Sequence, residues 1–169
     1  LTPLADMKTL RHLNINNNPV ADIFSLESLQ NLEELHMQHC NVTDIFVLVK
    51  LSRLTYVDVA STPCSDYSPL LYLPLLRFVE VSEGSAQDVI LVSGNSAIKE
   101  LIAIHCGIAS LDGFEAMPNL ERLELSDNDI TDLSGIERYK NLKRLTLRNN
   151  RIEDLKPLTG LPVLEELDL

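Results

Sequence analysis

The sequence LERLELSDNDITDLSGIERYKN, residues 120–141, is followed at once by a near copy, LKRLTLRNNRIEDLKPLTGLPV, residues 142–163. The two segments share the skeleton LxxLxLxxNxIxDL, and a third copy begins at Leu164 and runs to Leu169. A period of 20 to 50 residues is typical of repeat architectures, in which each unit buries its apolar side only against its neighbours. The repeat therefore predicts a stacked solenoid.

The same register extends back through the chain without an insertion. Repeats 22 residues apart start at Leu10, Leu32, Leu54, Leu76, Ile98, Leu120, Leu142 and Leu164. We number positions within a repeat from this first residue as offset 0. We expect one domain, residues 1–169, with seven full repeats and partial repeats at 1–9 and 164–169. Neither end carries a capping unit, so we expect a piece of a longer solenoid, or ends that contact another copy or a partner.

Each repeat combines two different hydrophobic periods. Offsets 3 and 5 are apolar in every repeat and alternate with offsets 2, 4 and 6, which predicts a short strand with one buried face. Offsets 13, 16 and 19 are apolar at a spacing of three, which favours 3₁₀ turns on the opposite wall. The predicted fold is thus an α/β right-handed solenoid with a parallel concave β-sheet and a 3₁₀ or irregular convex side.

Polar residues recur at two fixed positions. Offset 12 is Asp in six of the seven full repeats, where it can cap the following turn, and a metal-ligand role is the less favoured alternative. Offset 8 is Asn in three repeats, at Asn18, Asn128 and Asn150, and its amide can satisfy backbone groups. The middle of the chain lacks this Asn. In the fourth repeat, residues 76–97, the unusual back wall predicts an irregular or strand-like segment.

Composition excludes several classes of function. The formal net charge is −11, which argues against nucleic acid or an anionic membrane surface as the main partner. No apolar run approaches a membrane span, so we expect no membrane insertion. The sequence has no Gly-rich phosphate loop, HExxH motif or triad-like spacing. We therefore predict no cofactor and no catalytic residues.

The repeat skeleton resembles the leucine-rich repeat family over essentially the whole chain. Its 22-residue length resembles the subclass shared by bacterial internalins and an intracellular phosphatase-regulator group. The segments ITDLSGI (130–136), IEDLKPLTGL (152–161) and LTPLADMKTL (1–10) are more similar to internalins. Both groups are non-catalytic binding scaffolds, so the resemblance implies recognition of a protein partner through the concave sheet.

The concave face is predicted from offsets 2, 4 and 6, which point outward from each strand. Most of these residues are polar, but an apolar patch interrupts them at Tyr56, Phe78, Ile102 and Ile104. Exposed apolar residues surrounded by charge are typical of an interaction site, although these side chains could also pack on one another. The predicted rim of this patch is His36, Asp58, Glu80, Glu100 and Arg122.

Cysteine and histidine residues invite metal or redox interpretations, which their spacing disfavours. Cys40 and Cys106 lie three repeats apart, roughly 14 Å at strand spacing, which is too far for a disulfide. No CxxC or zinc-like spacing occurs, so we predict no metal site. The pair His105–Cys106 resembles a nucleophile pair, but neighbouring side chains in a strand-to-turn segment tend to point apart.

These observations predict a non-enzymatic protein-binding scaffold. The resemblance to internalins favours a bacterial cell-surface or secreted protein. The alternatives are an intracellular, cytoplasmic regulatory subunit, a substrate-positioning domain of a larger enzyme, and a structural spacer without a tight partner.

Overall fold

One open sheet of eight parallel strands organises the molecule. The computed structural model describes all residues, 1–169. Each strand has three residues, and their order in the sheet is their order in the chain, β1 to β8. The strands are His12–Asn14 (β1), Glu34–His36 (β2), Tyr56–Asp58 (β3), Phe78–Glu80 (β4), Glu100–Ile102 (β5), Arg122–Glu124 (β6), Arg144–Thr146 (β7) and Glu166–Asp168 (β8). The predicted leucine-rich-repeat solenoid is confirmed.

The pairing between strands follows the 22-residue period without a slip. Tyr56 in β3 pairs with Phe78 in β4, which in turn pairs with Glu100 in β5. Residues at one offset therefore form a straight row across the sheet. The central residue of each strand, at offset 3, is buried from Leu13 to Leu145. This alternation places offsets 2 and 4 on the opposite, concave face.

The convex wall consists mainly of 3₁₀ helices, as the spacing of three predicts. These helices are Thr2–Asp6, Phe24–Ser28, Phe46–Lys50, Ser68–Tyr72, Ile136–Arg138 and Lys156–Gly160. Ile23, Leu26 and Leu29 show the inward positions of one such wall, with exposures of 2%, 0% and 0%. They belong to a core cluster of 44 buried residues that runs along the stack.

The Asp at offset 12 caps these turns. The Asp44 carboxylate accepts a hydrogen bond of 2.7 Å from the backbone N–H of Phe46, two residues later. The same bond recurs at Asp22, Asp66, Asp132 and Asp154, at 2.8 Å in each case. Ser110 occupies this position in the fifth repeat, and its hydroxyl accepts the equivalent bond at 3.2 Å. The capping interpretation of these five Asp residues therefore holds.

The fourth repeat contains the one α-helix of the molecule, Ala86–Ser93 (α1), so the expected irregular or strand-like segment is wrong. Ser85 and Asp88 form a capping box: the Ser85 hydroxyl accepts from the N–H of Asp88, and the Asp88 carboxylate accepts from the N–H of Ser85. This reciprocal cap satisfies two free donors at the helix start. Val89 and Val92 then face the core.

Asn95 follows this helix in a back-wall position that is apolar elsewhere. It is 5% exposed, and its amide nitrogen donates to the carbonyls of Leu70 and Leu73 at 2.8 and 3.0 Å. Its side-chain oxygen accepts from the N–H of Ala97 at 2.9 Å. A buried amide with its hydrogen bonds made is tolerated in a core, so Asn95 ties the fourth repeat to the third.

Each of the strands β1 to β7 is followed, three residues after its end, by a residue in the left-handed region. The residue at offset 7 has a positive φ of 53–62° in all seven full repeats, and none of the seven is glycine. Three of them are Asn or Asp, the types that most readily adopt this conformation without being Gly. The turn lets the chain leave the sheet edge, and it separates the side chains at offsets 7 and 8.

The Asn residues at offset 8 hold this turn in place. The Asn128 amide nitrogen donates to the carbonyls of Ala103, Leu125 and Ser126 at 2.9–3.1 Å. Its oxygen accepts from the N–H groups of Cys106 and Ile108 at 2.9 and 3.1 Å. It therefore satisfies both its own repeat and the preceding one.

The middle of the chain keeps only part of this hydrogen-bonding pattern. Cys40 replaces Asn, and its thiol donates a single bond to the carbonyl of Ile15 at 3.2 Å. The Thr62 hydroxyl donates to the carbonyl of Val59 at 2.7 Å.

None of the helices combines the length and the apolar composition that a membrane span requires.

Candidate functional site

Three aromatic side chains follow one another across β2, β3 and β4. The Tyr56 and Phe78 rings are stacked, with centroids 4.0 Å apart and planes 2° from parallel. The His36 ring lies 4.4 Å from that of Tyr56 at an interplanar angle of 36°. We call these three residues the aromatic strip. All three are half-buried, so the strip presents part of its surface to the concave space.

Tyr56 and Phe78 are adjacent, as predicted. His36 was expected at the rim of the patch, but its ring lies in the aromatic strip. The two larger rings do lean on each other, as the alternative interpretation of the patch requires. Stacking adds about 0.5–1.5 kcal/mol beyond area burial, and it leaves the exposed part of both rings available. The contact therefore orders the strip and does not cover it.

The isoleucines of the patch lie on β5 and just after it. Ile104 is half-buried, but Ile102 is only 9% exposed, so the expectation of an exposed side chain at that position is wrong. Its neighbours in the adjacent strands are Glu80 and Glu124, whose longer side chains flank it on the concave face. Ile102 thus forms part of the floor of the face.

Asp58 also differs from its expected position in a charged rim. It is 5% exposed, and its carboxylate accepts a bond of 3.0 Å from the N–H of Ala60. Glu80 is its partner in the next strand and is half-buried. We call Asp58 and Glu80 the carboxylate pair. It lies beside the aromatic strip, because Tyr56 shares a strand and a face with Asp58, and Phe78 does so with Glu80.

Burial and mutual repulsion act on the carboxylate pair. Burial raises the pKa of Asp58 above its usual value, although the Ala60 N–H and His36 act in the opposite direction. Burial also raises the pKa of Glu80, and the nearby charge of Asp58 raises it further. Burial, followed by the charges of Asp58 and Glu80, raises the pKa of Tyr56 to about 12. Both carboxylate shifts disfavour the charged form, so a cation beside the pair would lower both pKa values.

The remaining rim residues neutralise one another. The Arg122 guanidinium lies 3.6 Å from Glu100 and 3.9 Å from Glu124. Arg144 reaches the other oxygen of Glu100 at 3.8 Å. Glu100 and Arg122 therefore do lie next to the patch, but their charges are largely compensated within β5, β6 and β7. Asp58 and Glu80 make no ion pair with any cationic side chain.

No cysteine of the chain takes part in a disulfide. All three are free, and Cys40 and Cys106 are buried. Burial raises the pKa of the Cys106 thiol to about 11, which makes its reactive thiolate scarce at neutral pH. His105 is exposed whereas Cys106 is buried, so the two side chains point apart as expected. No group of three or more His, Cys, Asp or Glu side chains is placed to hold a metal ion.

A second apolar surface on the convex side was missed by the sequence reasoning. Phe24 and Phe46 are 68% and 66% exposed at the start of successive 3₁₀ helices. They line a groove of about 340 Å³ together with Val47 and the aliphatic stem of Lys50. The available signal was a Phe at offset 14 in two adjacent repeats, one position beyond the inward-facing residue.

Comparison with known proteins identifies the family. Leucine-rich repeat models match residues 8–48 and 140–169 in one case and residues 116–137 in another, which together cover more than half of the chain. The chain belongs to the leucine-rich repeat family. A comparison with curated protein sequences found no match.

Solved structures share the fold. Internalin C2 of Listeria monocytogenes superposes with a TM-score of 0.73 at 20% identity, over 96% of this chain and 82% of that one. The functional domain of InlJ from the same organism, which includes a cysteine ladder, gives 0.75 at 20% identity over 98% and 36%. TLR13 in complex with ssRNA13 gives 0.69 at 28% identity over 96% and 23%. The chain spans only about a third of InlJ and a quarter of TLR13.

Proposed function

We propose that this chain is a non-enzymatic recognition module that binds a protein partner on its concave face. The observation that carries the proposal is the aromatic strip next to the carboxylate pair: half-buried rings beside two carboxylates that form no ion pair with a cationic side chain. Interaction sites are enriched in such aromatic anchors, whereas solvated faces are dominated by compensated polar residues. The binding surface then comprises Tyr56, Phe78, Ile102, Ile104, His36, Asp58 and Glu80, with Glu100 and Arg122 at its edge.

The proposal includes a bacterial cell-surface or secreted location, which rests on the structural likeness to internalins. The fold likeness to TLR13 raises nucleic acid as another ligand class. The net charge of −11 and the unpaired acids of the concave face oppose a polyanion there. A protein partner fits this surface better than RNA.

The experiment is a capture followed by a measurement of affinity. The immobilised chain is exposed to an extracellular protein extract, the captured protein is identified by mass spectrometry, and its Kd is measured by surface plasmon resonance. The double variant Y56A/F78A should weaken this Kd at least a hundredfold, because it removes both ring anchors. Circular dichroism should remain unchanged, since the core residues of β3 and β4 are untouched.

The matched control is the convex double variant F24S/F46S. It also removes two exposed aromatic rings, but on the opposite side of the solenoid. We expect its Kd to stay within threefold of the unmodified chain. A partner that is lost with F24S/F46S and retained with Y56A/F78A would place recognition on the convex groove and refute the proposal.

A further inference from the structure

The carboxylate pair forms no ion pair, whereas most other acids of the concave face do. Glu34 lies 2.9 Å from the His12 ring, and Glu100 and Glu124 both contact Arg122. Asp58 is more buried than any of these and has no cation within ion-pair distance. Asp58 accepts a hydrogen bond from the Ala60 N–H, but its burial without an ion pair still costs stability.

The surroundings of the pair match one particular kind of cation. Tyr56 and Asp58 are two residues apart on one strand, as are Phe78 and Glu80, so the rings and the carboxylates lie about 6–7 Å apart along the strands. A planar guanidinium can lie against an aromatic ring and donate several hydrogen bonds to carboxylates at its edge. The guanidinium of one arginine, together with the methylene groups next to it, is long enough to span this distance between ring and carboxylate.

We infer that the aromatic strip and the carboxylate pair form a subsite for an arginine side chain of the partner. The exposed edges of the Tyr56 and Phe78 rings contact the aliphatic stem of the arginine, and Asp58 and Glu80 accept N–H groups of its guanidinium. This inference rests on the proposed function, because it names the side chain that the concave face receives. Ile104, half-buried beyond the pair, continues the apolar surface next to the bound head group.

Two other cations fit the surroundings less well. A divalent metal ion requires about six oxygen ligands, and this part of the face supplies only the carboxylates of Asp58 and Glu80. A lysine ammonium is a compact and strongly hydrated charge. It lacks the planar group with which arginine contacts both carboxylates at once. The two carboxylates on neighbouring strands therefore favour the several N–H donors of arginine.

A titration of the complete chain with small probes tests the subsite without the partner. The probes are N-acetyl-arginine methylamide, the lysine equivalent, and the citrulline equivalent, which has nearly the shape of arginine without its charge. Binding is followed by NMR through the Tyr56 and Phe78 ring signals and the Ala60 amide. Arginine should saturate these shifts with a Kd on the order of millimolar, and citrulline should bind at least tenfold more weakly.

The double variant D58N/E80Q should weaken arginine binding at least tenfold while the far-UV circular dichroism spectrum of the free protein stays unchanged. Its matched control is E153Q/E165Q, which makes the same change in net charge at two exposed acids without ion pairs. The inference is overturned if arginine fails to bind, if citrulline binds equally, if lysine binds as tightly as arginine, or if D58N/E80Q has no effect.

The outcome separates this inference from the wider proposal. If the identified partner needs Tyr56 and Phe78 but binds D58N/E80Q with unchanged affinity, concave recognition stands and the arginine subsite is refuted. If the probes bind as expected but Y56A/F78A leaves partner affinity unchanged, the subsite exists and the proposed docking face is wrong.

Discussion

Replacement of Asn128 by alanine should be among the most destabilising single changes in this protein. The side chain is 6% exposed and makes five hydrogen bonds with the backbone of two repeats. The variant leaves the N–H groups of Cys106 and Ile108 buried without their acceptor and deprives three carbonyls of a donor. At about 1–3 kcal/mol for each unsatisfied buried group, with some entry of water, we expect a loss of about 3–5 kcal/mol.

The matched comparison is the same substitution at Asn18, which occupies the same offset at the other end of the stack. Its amide donates to the carbonyls of Ile15 and Asn16 at 3.1 and 3.0 Å, but the residue is exposed and water can replace the lost bonds. N18A should cost about 0.5–1.5 kcal/mol. Residue type and backbone position are equal, so the difference between the two sites measures burial together with the three additional hydrogen bonds of Asn128.

Urea denaturation followed by far-UV circular dichroism measures both losses. For a chain of this length, a loss of 3–5 kcal/mol corresponds to a fall in Tm of roughly 10 °C, which a thermal scan can check. N128C should recover part of the loss, because a thiol at this offset donates one backbone bond in the second repeat. Equal costs at Asn18 and Asn128 would refute the argument that the buried amide carries the stability.

Three further predictions follow from single residues. Burial raises the pKa of Asp58, so this carboxylate binds a proton more tightly in the folded protein than in the unfolded chain and its charge costs stability at pH 7. D58N should therefore raise Tm at pH 7, and thermal scans should show that this gain disappears as the pH falls toward 3.8. S85A removes the hydroxyl of the capping box and should cost about 1 kcal/mol in urea denaturation, with the unfolding slope unchanged. Hydrogen bonds from Lys143 and Lys99 lower the pKa of Glu121 to about 2, so its stabilisation is present above pH 4.5 and lost as pH falls toward 2; E121Q should flatten that part of the pH–Tm profile.

The sheet could be predicted from the sequence because its signal is repeated and local. Offsets 3 and 5 carry an apolar residue in all eight repeats, so one small residue such as Ala103 does not obscure the register. The 3₁₀ wall was predictable for the same reason. The helix α1 was not, because Val89 and Val92 keep the spacing of three that 3₁₀ turns also produce. The distinguishing signal was Ser85 with Asp88 three residues later, which is a capping box before an apolar run.

The sequence could predict which residues form the candidate site, but not how deeply each of them is buried. Offset alone placed Tyr56 and Phe78 on one face of neighbouring strands, and the structure agrees. Offset could not show that Asp58 and Ile102 are buried, since burial depends on the heights of side chains in three adjacent strands. The tilted contact between the His36 and Tyr56 rings is likewise a diagonal one, between offsets 4 and 2, and a comparison along single offsets does not show it.

The concave face divides into two electrostatic halves, and this division indicates where a partner gains most. On β5 to β7 the acids and bases satisfy each other, so a partner that contacts them must first break existing ion pairs, with little net gain. On β3 and β4 no internal cation has to be displaced. A partner cation placed there relieves the repulsion between Asp58 and Glu80 as well as forming its own contacts. We therefore expect a larger gain from a cation placed on β3 and β4 than from contacts with the ion pairs of β5 to β7.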